Sequence, residues 1–368
     1  MVTNGEEMTS AANIKVLGVG GGGSNAVARM FRERIPGIEY IIVNTDTQAL
    51  LECDVPMRMS IGDQLTRGKG VGGNPELGKR AAEESRDEIM ESIRDADMVF
   101  VAAGMGGGTG TGAAPVVAQI VKDTGALTVG VVTTPFAFEG SHRRRAAEEG
   151  ITELKQAVDT VLVIPNERLH TICEEEITAE NAFKMADNVL RLGVQSIAEL
   201  VTTAGAINLD FADVEAVMRD AGPAWMSIGW GVGEDRARDA AHQAISNPLL
   251  DVSIEGARGV LFNITGGSDM KLSELHEASE VIQRVVDPEA NIIFGMTTDM
   301  KMENEIKLTV IATGFPTSEN IADVDSAMQD ILNAALAKDP SVLDLPPFLR
   351  RIAEYGSNGS REAVVGGS

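Results

Sequence analysis

Twice in the first third of the chain, a short apolar run breaks into clustered glycines that open a helical pattern. Ile14–Gly18 runs into Gly18-Val-Gly-Gly-Gly-Gly23, ahead of a helix expected over Asn25–Arg34. Met98–Ala103 runs into Gly104-Met-Gly-Gly-Gly-Thr-Gly-Thr-Gly112, ahead of a helix expected over Ala113–Lys122. A strand that feeds a helix through glycines leaves main-chain amides pointing out of a helix N-terminus, with no Cβ to block an anion. A flexible linker has no reason to lie between a buried strand and a buried helix. The segment Met98–Val121 carries no charge and has the length of a membrane span. Its glycines, Thr109, Thr111 and Pro115, with Asp97 and Lys122 at its flanks, read instead as strand, loop and buried helix.

The surrounding pattern gives these loops a sheet to sit on. Tyr40–Val43, Leu127–Thr133 and Thr160–Ile164 are further apolar strands, and Glu76–Ile93 is a charged amphipathic helix. Continuous apolar strands alternating with helices predict a parallel sheet covered on both faces. Ala179–Thr202 is a long helical pattern with Leu190, Val194, Ile197 and Val201 on its apolar face; it reads as a spacer between two domains. A polar turn follows, Thr203–Asp213. Strands at Ala224–Gly231, Val260–Thr265, Asn291–Thr297 and Lys307–Thr313, with helices at Asp235–Ile245 and Leu272–Val286, make a smaller α/β domain. The fold class is thus α/β: a Rossmann-like parallel-sheet domain joined by a long core helix to a smaller α/β domain.

A net charge of −24 disfavours nucleic acids and anionic membranes as direct partners. With Arg outnumbering Lys, 21 to 10, it fits either a high-salt cytoplasm or an ordinary acidic protein. Only Cys53 and Cys173 occur, which makes neither a zinc site nor a disulfide framework and fits a reduced cytoplasm. The polar, acidic Met1–Asn13 has no signal pattern.

The first loop alone matches the dinucleotide fingerprint GxGxxG, and Asp46 is placed to hold a ribose, so a dehydrogenase stays open. The second loop shifts the balance. Two glycine loops at adjacent strand ends suit one polyphosphate better than a dinucleotide, and no catalytic His or Lys constellation accompanies them. A Walker loop is absent. Neither glycine loop holds Lys or Arg. Amides, helix dipoles and a metal ion must neutralise the phosphates, which implies Mg²⁺ held mainly by phosphates and water, with no side-chain metal ligands assigned. A third glycine-rich segment, Gly68–Gly73, is a candidate cover for the terminal phosphate.

The residues Gly-Gly-Gly-Thr-Gly-Thr-Gly at Gly106–Gly112 resemble the signature of the tubulin/FtsZ superfamily. Gly-Gly-Gly-Gly-Ser-Asn-Ala-Val at Gly20–Val27, Asn-Thr-Asp at Asn44–Asp46 and Asn-Leu-Asp-Phe-Ala-Asp at Asn208–Asp213 resemble its prokaryotic cell-division branch, the FtsZ family. The resemblance runs from about Ile14 to Phe315. It implies a GTP-dependent polymerising GTPase of the division ring, cytoplasmic and expected at mid-cell, with a cell-shape paralogue or a non-hydrolysing nucleotide sensor as alternatives. It implies binding of GTP or GDP by Gly21, Gly22, Gly23, Ser24, Asn25, Asn44, Gly73, Gly106, Gly107, Gly108, Thr109, Gly110, Thr111, Gly112, Thr134, Pro135, Glu139, Arg143 and Asn166. Phe183 would stack on the base. Asp187 would accept guanine N1–H and N2–H, with Asn25 serving O6; adenine lacks that donor pair.

Asp210 and Asp213 follow the long helix, while the glycine loops lie at its beginning. A helix of roughly 22 residues spans ~33 Å, so these carboxylates do not reach the nucleotide of their own chain. On sequence alone they are either plain turn residues or a helix cap. The resemblance implies a second role, with Asn208 in support: the loop enters the site of the next subunit, and its carboxylates orient the attacking water, directly or through a monovalent cation. Such a head-to-tail homopolymer does not close. Asp344–Arg351, Asp-Leu-Pro-Pro-Phe-Leu-Arg-Arg, resembles the family's docking peptide for a membrane anchor or division regulator, with Leu345, Phe348 and Leu349 as anchors and Arg350 and Arg351 as charges. The expected layout is a flexible 1–12, a GTPase domain 13–178, a core helix 179–203, the acidic loop and its helix 204–221, a C-terminal domain 222–315, a linker 316–343, the docking peptide 344–351 and a disordered tail 352–368.

Overall fold

The structure, a computed structural model, describes residues 12–315 apart from 34, 36, 173–177, 203–206, 208 and 247–253. Asn208 and the segment Asp344–Arg351 therefore lie outside the described residues.

Six strands form the first part of the sheet: β1 (Ile14–Val19), β2 (Ile38–Asn44), β3 (Met57–Ser60), β4 (Met98–Gly104), β5 (Leu127–Thr134) and β6 (Thr160–Pro165). All run parallel, in the order β3-β2-β1-β4-β5-β6, the doubly wound arrangement. The central strands β1 and β4 are buried along nearly their whole length, as their uninterrupted apolar sequence requires. The short edge strand β3, Met-Arg-Met-Ser, is not legible in the pattern because its apolar residues are partly exposed.

The sheet does not stop there. β7 (Gly222–Val232) continues it in parallel with β6, through Thr160↔Gly222, Val161↔Pro223 and Leu162↔Ala224. β8 (Gly259–Gly266), β9 (Asn291–Thr298) and β10 (Glu305–Thr313) extend it in the order β7-β10-β8-β9. β10 is antiparallel to both β7 and β8, while β9 is parallel to β8. Both halves of the chain thus share one ten-stranded sheet.

The helices are α1 (Gly20–Glu33), α2 (Thr47–Leu51), α3 (Asp63–Thr66), α4 (Pro75–Glu84), α5 (Arg86–Ser92), α6 (Thr109–Asp123), α7 (Ser141–Ala157), α8 (Asn166–Ile172), α9 (Ala179–Thr202), α10 (Phe211–Met218), α11 (Arg236–Ile245) and α12 (Leu272–Gln283). One face of the parallel strands packs on α4, α5, α6 and α7 through Ala81, Ile89, Val117 and Leu154. The other packs on α1 and α9 through Val27, Leu190, Val194 and Ile197. That same core takes in Val214 and Val217 of α10, Leu261 of β8 and Ile311 of β10. The helix expected as a spacer is therefore a core element shared by both halves.

Two expectations need correcting. The first glycine run is not a loop ahead of its helix: α1 begins at Gly20, so Gly20–Gly23 form its first turn, whereas Gly106–Gly108 of the second run remain a loop ahead of α6, which begins at Thr109. The helix expected over Glu76–Ile93 is two helices. It breaks at Ser85, whose Oγ accepts the Gly62 N–H at 3.2 Å and pins the turn against the preceding loop.

Candidate nucleotide site

The C-terminal ends of β1, β4, β5 and β6 open into a cavity of about 460 Å³, within the size range of small-molecule sites. Its floor is main chain. Gly21 and Gly22 come from the first turn of α1; Gly107, Gly108, Thr109 and Gly110 come from the approach to α6 and its first turn. Two helix N-termini thus aim unpaired amides into one space, the arrangement that holds phosphates without a cationic side chain. Glycine is required there by close approach. A Cβ on Gly110 would come within 2.5 Å of the Gly104 carbonyl oxygen, and one on Gly108 within 2.8 Å of the Asn74 nitrogen. Gly106 adopts φ +98°, and its N–H donates to Thr111 Oγ1 at 2.8 Å, which closes the loop.

The opposite wall comes from α9 and the turn after β5. Phe183, Ala186, Asp187 and Leu190 line it along one face of α9. Phe183 is 44% exposed and packs edge-on to Phe136, at 5.6 Å, and to Phe138, at 6.2 Å. An aromatic ring that lines the cavity and stays this exposed is available for stacking on a ligand and is not core filling. Asp187 lies behind it with Arg29 Nε at 3.3 Å from Oδ2. Burial pushes its carboxyl up to about 6, against the pull of Arg29. Pro135, Glu139, Arg143, Asn25 and Asn166 complete the lining. Glu139 is held twice: Oε1 accepts the Phe136 N–H at 2.9 Å and Oε2 accepts from Arg143 Nη1 at 2.6 Å. Asn166 Oδ1 is buried without a hydrogen-bond partner in a residue that faces the cavity. An orphaned acceptor there is what a ligand donor would satisfy.

Other expected residues stand behind the cavity. Gly23 packs against β4, where a Cβ would meet the Ala102 carbonyl oxygen at 2.2 Å. Gly112 packs against Pro75. Ser24 is buried with an unpartnered Oγ. Asn44 turns inward, its Oδ1 accepting the Thr45 N–H at 2.8 Å, and so shapes the end of β2. Gly73, Gly106, Thr111 and Thr134 also do not line the cavity. Gly104 and Met105 of the second glycine run and Thr133 at the end of β5 line it as well, as do Ala186 and Leu190, for which no binding role was expected. Ala186 and Leu190 follow Phe183 at helical spacing and so share its face of α9. Arg29 stands one turn after Asn25 on α1, and its place at the site comes from Asp187 across on α9.

The acidic turn is elsewhere. Asp210 caps α10, its Oδ1 accepting the Asp213 N–H at 2.8 Å, while Asp213 Oδ2 accepts the Asp210 N–H at 3.2 Å. This is a capping box, so the cap reading of these residues is realised. The other end of α10 lies against the N-terminal ends of the parallel strands: the Met218 carbonyl accepts from Thr160 Oγ1, and the Gly222 N–H donates to the Asp159 carbonyl at 2.8 Å. Neither aspartate lines the cavity. Among the described residues, no group of three or more His, Cys, Asp or Glu is arranged to hold a metal ion, and no helix is long and apolar enough to cross a membrane.

Residues 13–174 match the family model described as Tubulin/FtsZ family, GTPase domain, and residues 222–316 match FtsZ family, C-terminal domain. An FtsZ structure from M. jannaschii, described as an empty dimer, is 46% identical, covers 83% of this chain and 89% of its own, and superposes with a TM-score of 0.79. A tryptophan-to-tyrosine point mutant of M. jannaschii FtsZ is 47% identical over 83% of this chain and 91% of its own, with a TM-score of 0.78. CetZ2 from Haloferax volcanii, described as a GTPγS-bound protofilament, shares the fold at 20% identity, over 88% of this chain and 99% of its own, with a TM-score of 0.71. With both family models matched and FtsZ structures 46–47% identical over 83% of its length, this chain belongs to the FtsZ family and is a GTPase of the tubulin/FtsZ fold.

Proposed function

We propose that this chain is the self-polymerising GTPase of a cell-division ring, cleaving GTP to GDP and phosphate only where two copies meet head to tail. The observation that carries the reading is the separation of its two functional groups. The cavity opens at the C-terminal ends of the parallel strands, whereas the acidic turn begins a helix that packs against their N-terminal ends. One copy then supplies the nucleotide and the next supplies the carboxylates. The M. jannaschii relative is described as a dimer, in keeping with self-association.

In this reading Phe183 stacks on guanine, Asp187 accepts its N1–H and N2–H, and Asn25 serves O6. The Asn166 side chain and the Glu139–Arg143 pair meet the ribose edge. Amides from Gly21, Gly22 and Gly107–Gly110, with the Thr109 hydroxyl, hold the phosphates. The capping box engages Oδ1 of Asp210 and Oδ2 of Asp213; the second oxygen of each is assigned to the neighbour's attacking water, which it orients and polarises. Mg²⁺ would supply charge neutralisation, held by phosphates and water. A monovalent cation beside Asp210, and docking of a membrane anchor or regulator on Asp344–Arg351, belong to the same reading, as does a cytoplasmic place at mid-cell. The FtsZ relatives at 46–47% identity favour division over the shape role.

The test is the concentration dependence of turnover. Phosphate release per subunit, measured at saturating GTP, is expected to rise from near zero with protein concentration and then level off, in step with light scattering. A rate per subunit that stays flat across a hundredfold range would mean that each copy holds a complete site.

A further inference from the structure

Thr45, at the end of β2, is wholly buried. Its main chain is fully engaged. The N–H donates to Asn44 Oδ1 at 2.8 Å, and the carbonyl accepts the Gly70 N–H at 3.0 Å and the Thr66 hydroxyl at 3.4 Å. Next to it, Asp46 caps α2 and forms a β-bridge with Lys69. The side chain is thus presented from a backbone fixed on both sides. Its Oγ1 lies 2.7 Å from Oγ1 of Thr109, the first residue of α6 and a lining residue of the phosphate end of the cavity.

Two hydroxyls at this distance share one hydrogen, and either could give it. Burial decides which. The Thr45 hydroxyl has no access to water, and among the described residues Thr109 Oγ1 is its one recorded side-chain partner. A buried hydroxyl hydrogen without an acceptor is costly. Thr109, half-buried, has the cavity as an alternative direction. The lowest-energy arrangement therefore has Thr45 donating to Thr109, which turns the Thr109 hydrogen into the cavity, where an anion would receive it.

We propose that Thr45 is a positioning residue for phosphate: it sets Thr109 as a hydrogen-bond donor to the anionic ligand, from a position that never touches that ligand. The inference rests on the reading of the cavity as a GTP site and deepens it. It also gives the Asn44–Asp46 segment a purpose. Asn44 and Asp46 hold the backbone of Thr45, and Thr45 aims the proton.

The test is a double-mutant cycle on the full chain, read by equilibrium GTP binding to the nucleotide-free protein. Thr45→Val keeps the shape and removes the hydroxyl; Thr45→Ser restores it. Thr45→Val should weaken GTP binding roughly fivefold, the worth of one neutral hydrogen bond, because the Thr109 hydroxyl loses the donor that turns its hydrogen into the cavity. Thr45→Ser should bind within about twofold of wild type. Thr109→Val should weaken binding at least as much as Thr45→Val, and the double variant should be no worse than Thr109→Val alone, because Thr45 acts only through Thr109. Should Thr45→Val fail to fold, Thr45→Ala, which adds no atoms, closes the same cycle. Wild-type affinity in the Thr45 variants, or losses that multiply in the double variant, would overturn the inference. Absence of GTP binding by the wild type would instead overturn the site itself, so the two failures are distinguishable.

Discussion

Replacing Asp187 by Asn should make the nucleotide-free protein more stable and, at the same time, a poorer GTP binder. The carboxyl is buried on α9 against the cavity, and its pKa is raised from an ordinary 3.8 to about 6, first by desolvation, with Arg29 pulling the other way. The native state thus binds this proton more tightly than the unfolded chain. The stability penalty is therefore full above pH 6 and is relieved as the pH falls through 6 towards 3.8. Linkage puts it at about 3 kcal/mol at pH 7.5, roughly half of that at pH 5 and only a small remainder at pH 4. These figures are already net of the Arg29 attraction, since the neutral acid is the reference. Asn mimics that neutral acid. Urea unfolding should find D187N more stable than wild type by about 2–3 kcal/mol at pH 7.5, with the gap roughly halved at pH 5. GTP binding should fall by tenfold or more and discrimination against ATP should narrow, because the amide offers one acceptor where the carboxylate offers two. Equal stabilities at pH 7.5, or curves that run parallel from pH 7.5 to 5, would refute the argument that this carboxylate is held out of water for a ligand.

Asp210→Asn keeps an N-cap acceptor for the Asp213 N–H and removes the charge; it should leave stability within about 0.5 kcal/mol and GTP binding unchanged while abolishing phosphate release, and retained turnover would remove Asp210 from the chemistry. Gly112→Ala places a Cβ 1.8 Å from the Pro75 carbonyl oxygen, forcing α4 from α6; a loss above about 3 kcal/mol is expected in urea. Gly107→Ala meets nothing within 4 Å and should leave unfolding unchanged, any effect falling on GTP affinity alone. Arg236 is buried and pairs with Glu274 at 2.7 Å and Asp269 at 2.7 Å; Arg236→Ala should cost about 3–5 kcal/mol in urea, chiefly by stranding Glu274.

The strands of the parallel sheet other than the edge strand β3 were legible because both faces are covered, which makes their sequences continuously apolar. α9 was legible to the residue, since a long amphipathic stripe is the least ambiguous of local signals. What escaped is instructive. The break at Ser85 depends on a hydrogen bond to Gly62, twenty-three positions away, and no local window contains it. The sharing of one sheet by both halves rests on three residue pairs between β6 and β7 that no motif marks. At the site, the glycine loops could be read from their own pattern, and Asn25, Phe183 and Asp187 from the family resemblance. Thr45 and Arg29 could not, because each owes its place to a partner on another element, Thr109 and Asp187 respectively.

The two ends of the proposed site are fixed to one rigid core. Leu190 lines the cavity and also belongs to the buried cluster that holds Ile197 and Ala198 further along α9, Val214 and Val217 of α10, and Leu261 and Ile311 of the antiparallel strands. Close packing of this kind resists deformation. The offset between cavity and acidic turn is then a constant of the fold and not a property of a flexible linker. A second copy can bring its turn to the first copy's cavity only by one rigid displacement, and the third must repeat it. Repetition of one displacement without closure gives a filament of fixed spacing. On this reading the incompleteness of the single chain and the regularity of the polymer have the same cause, the continuous core between the nucleotide end and the acidic end.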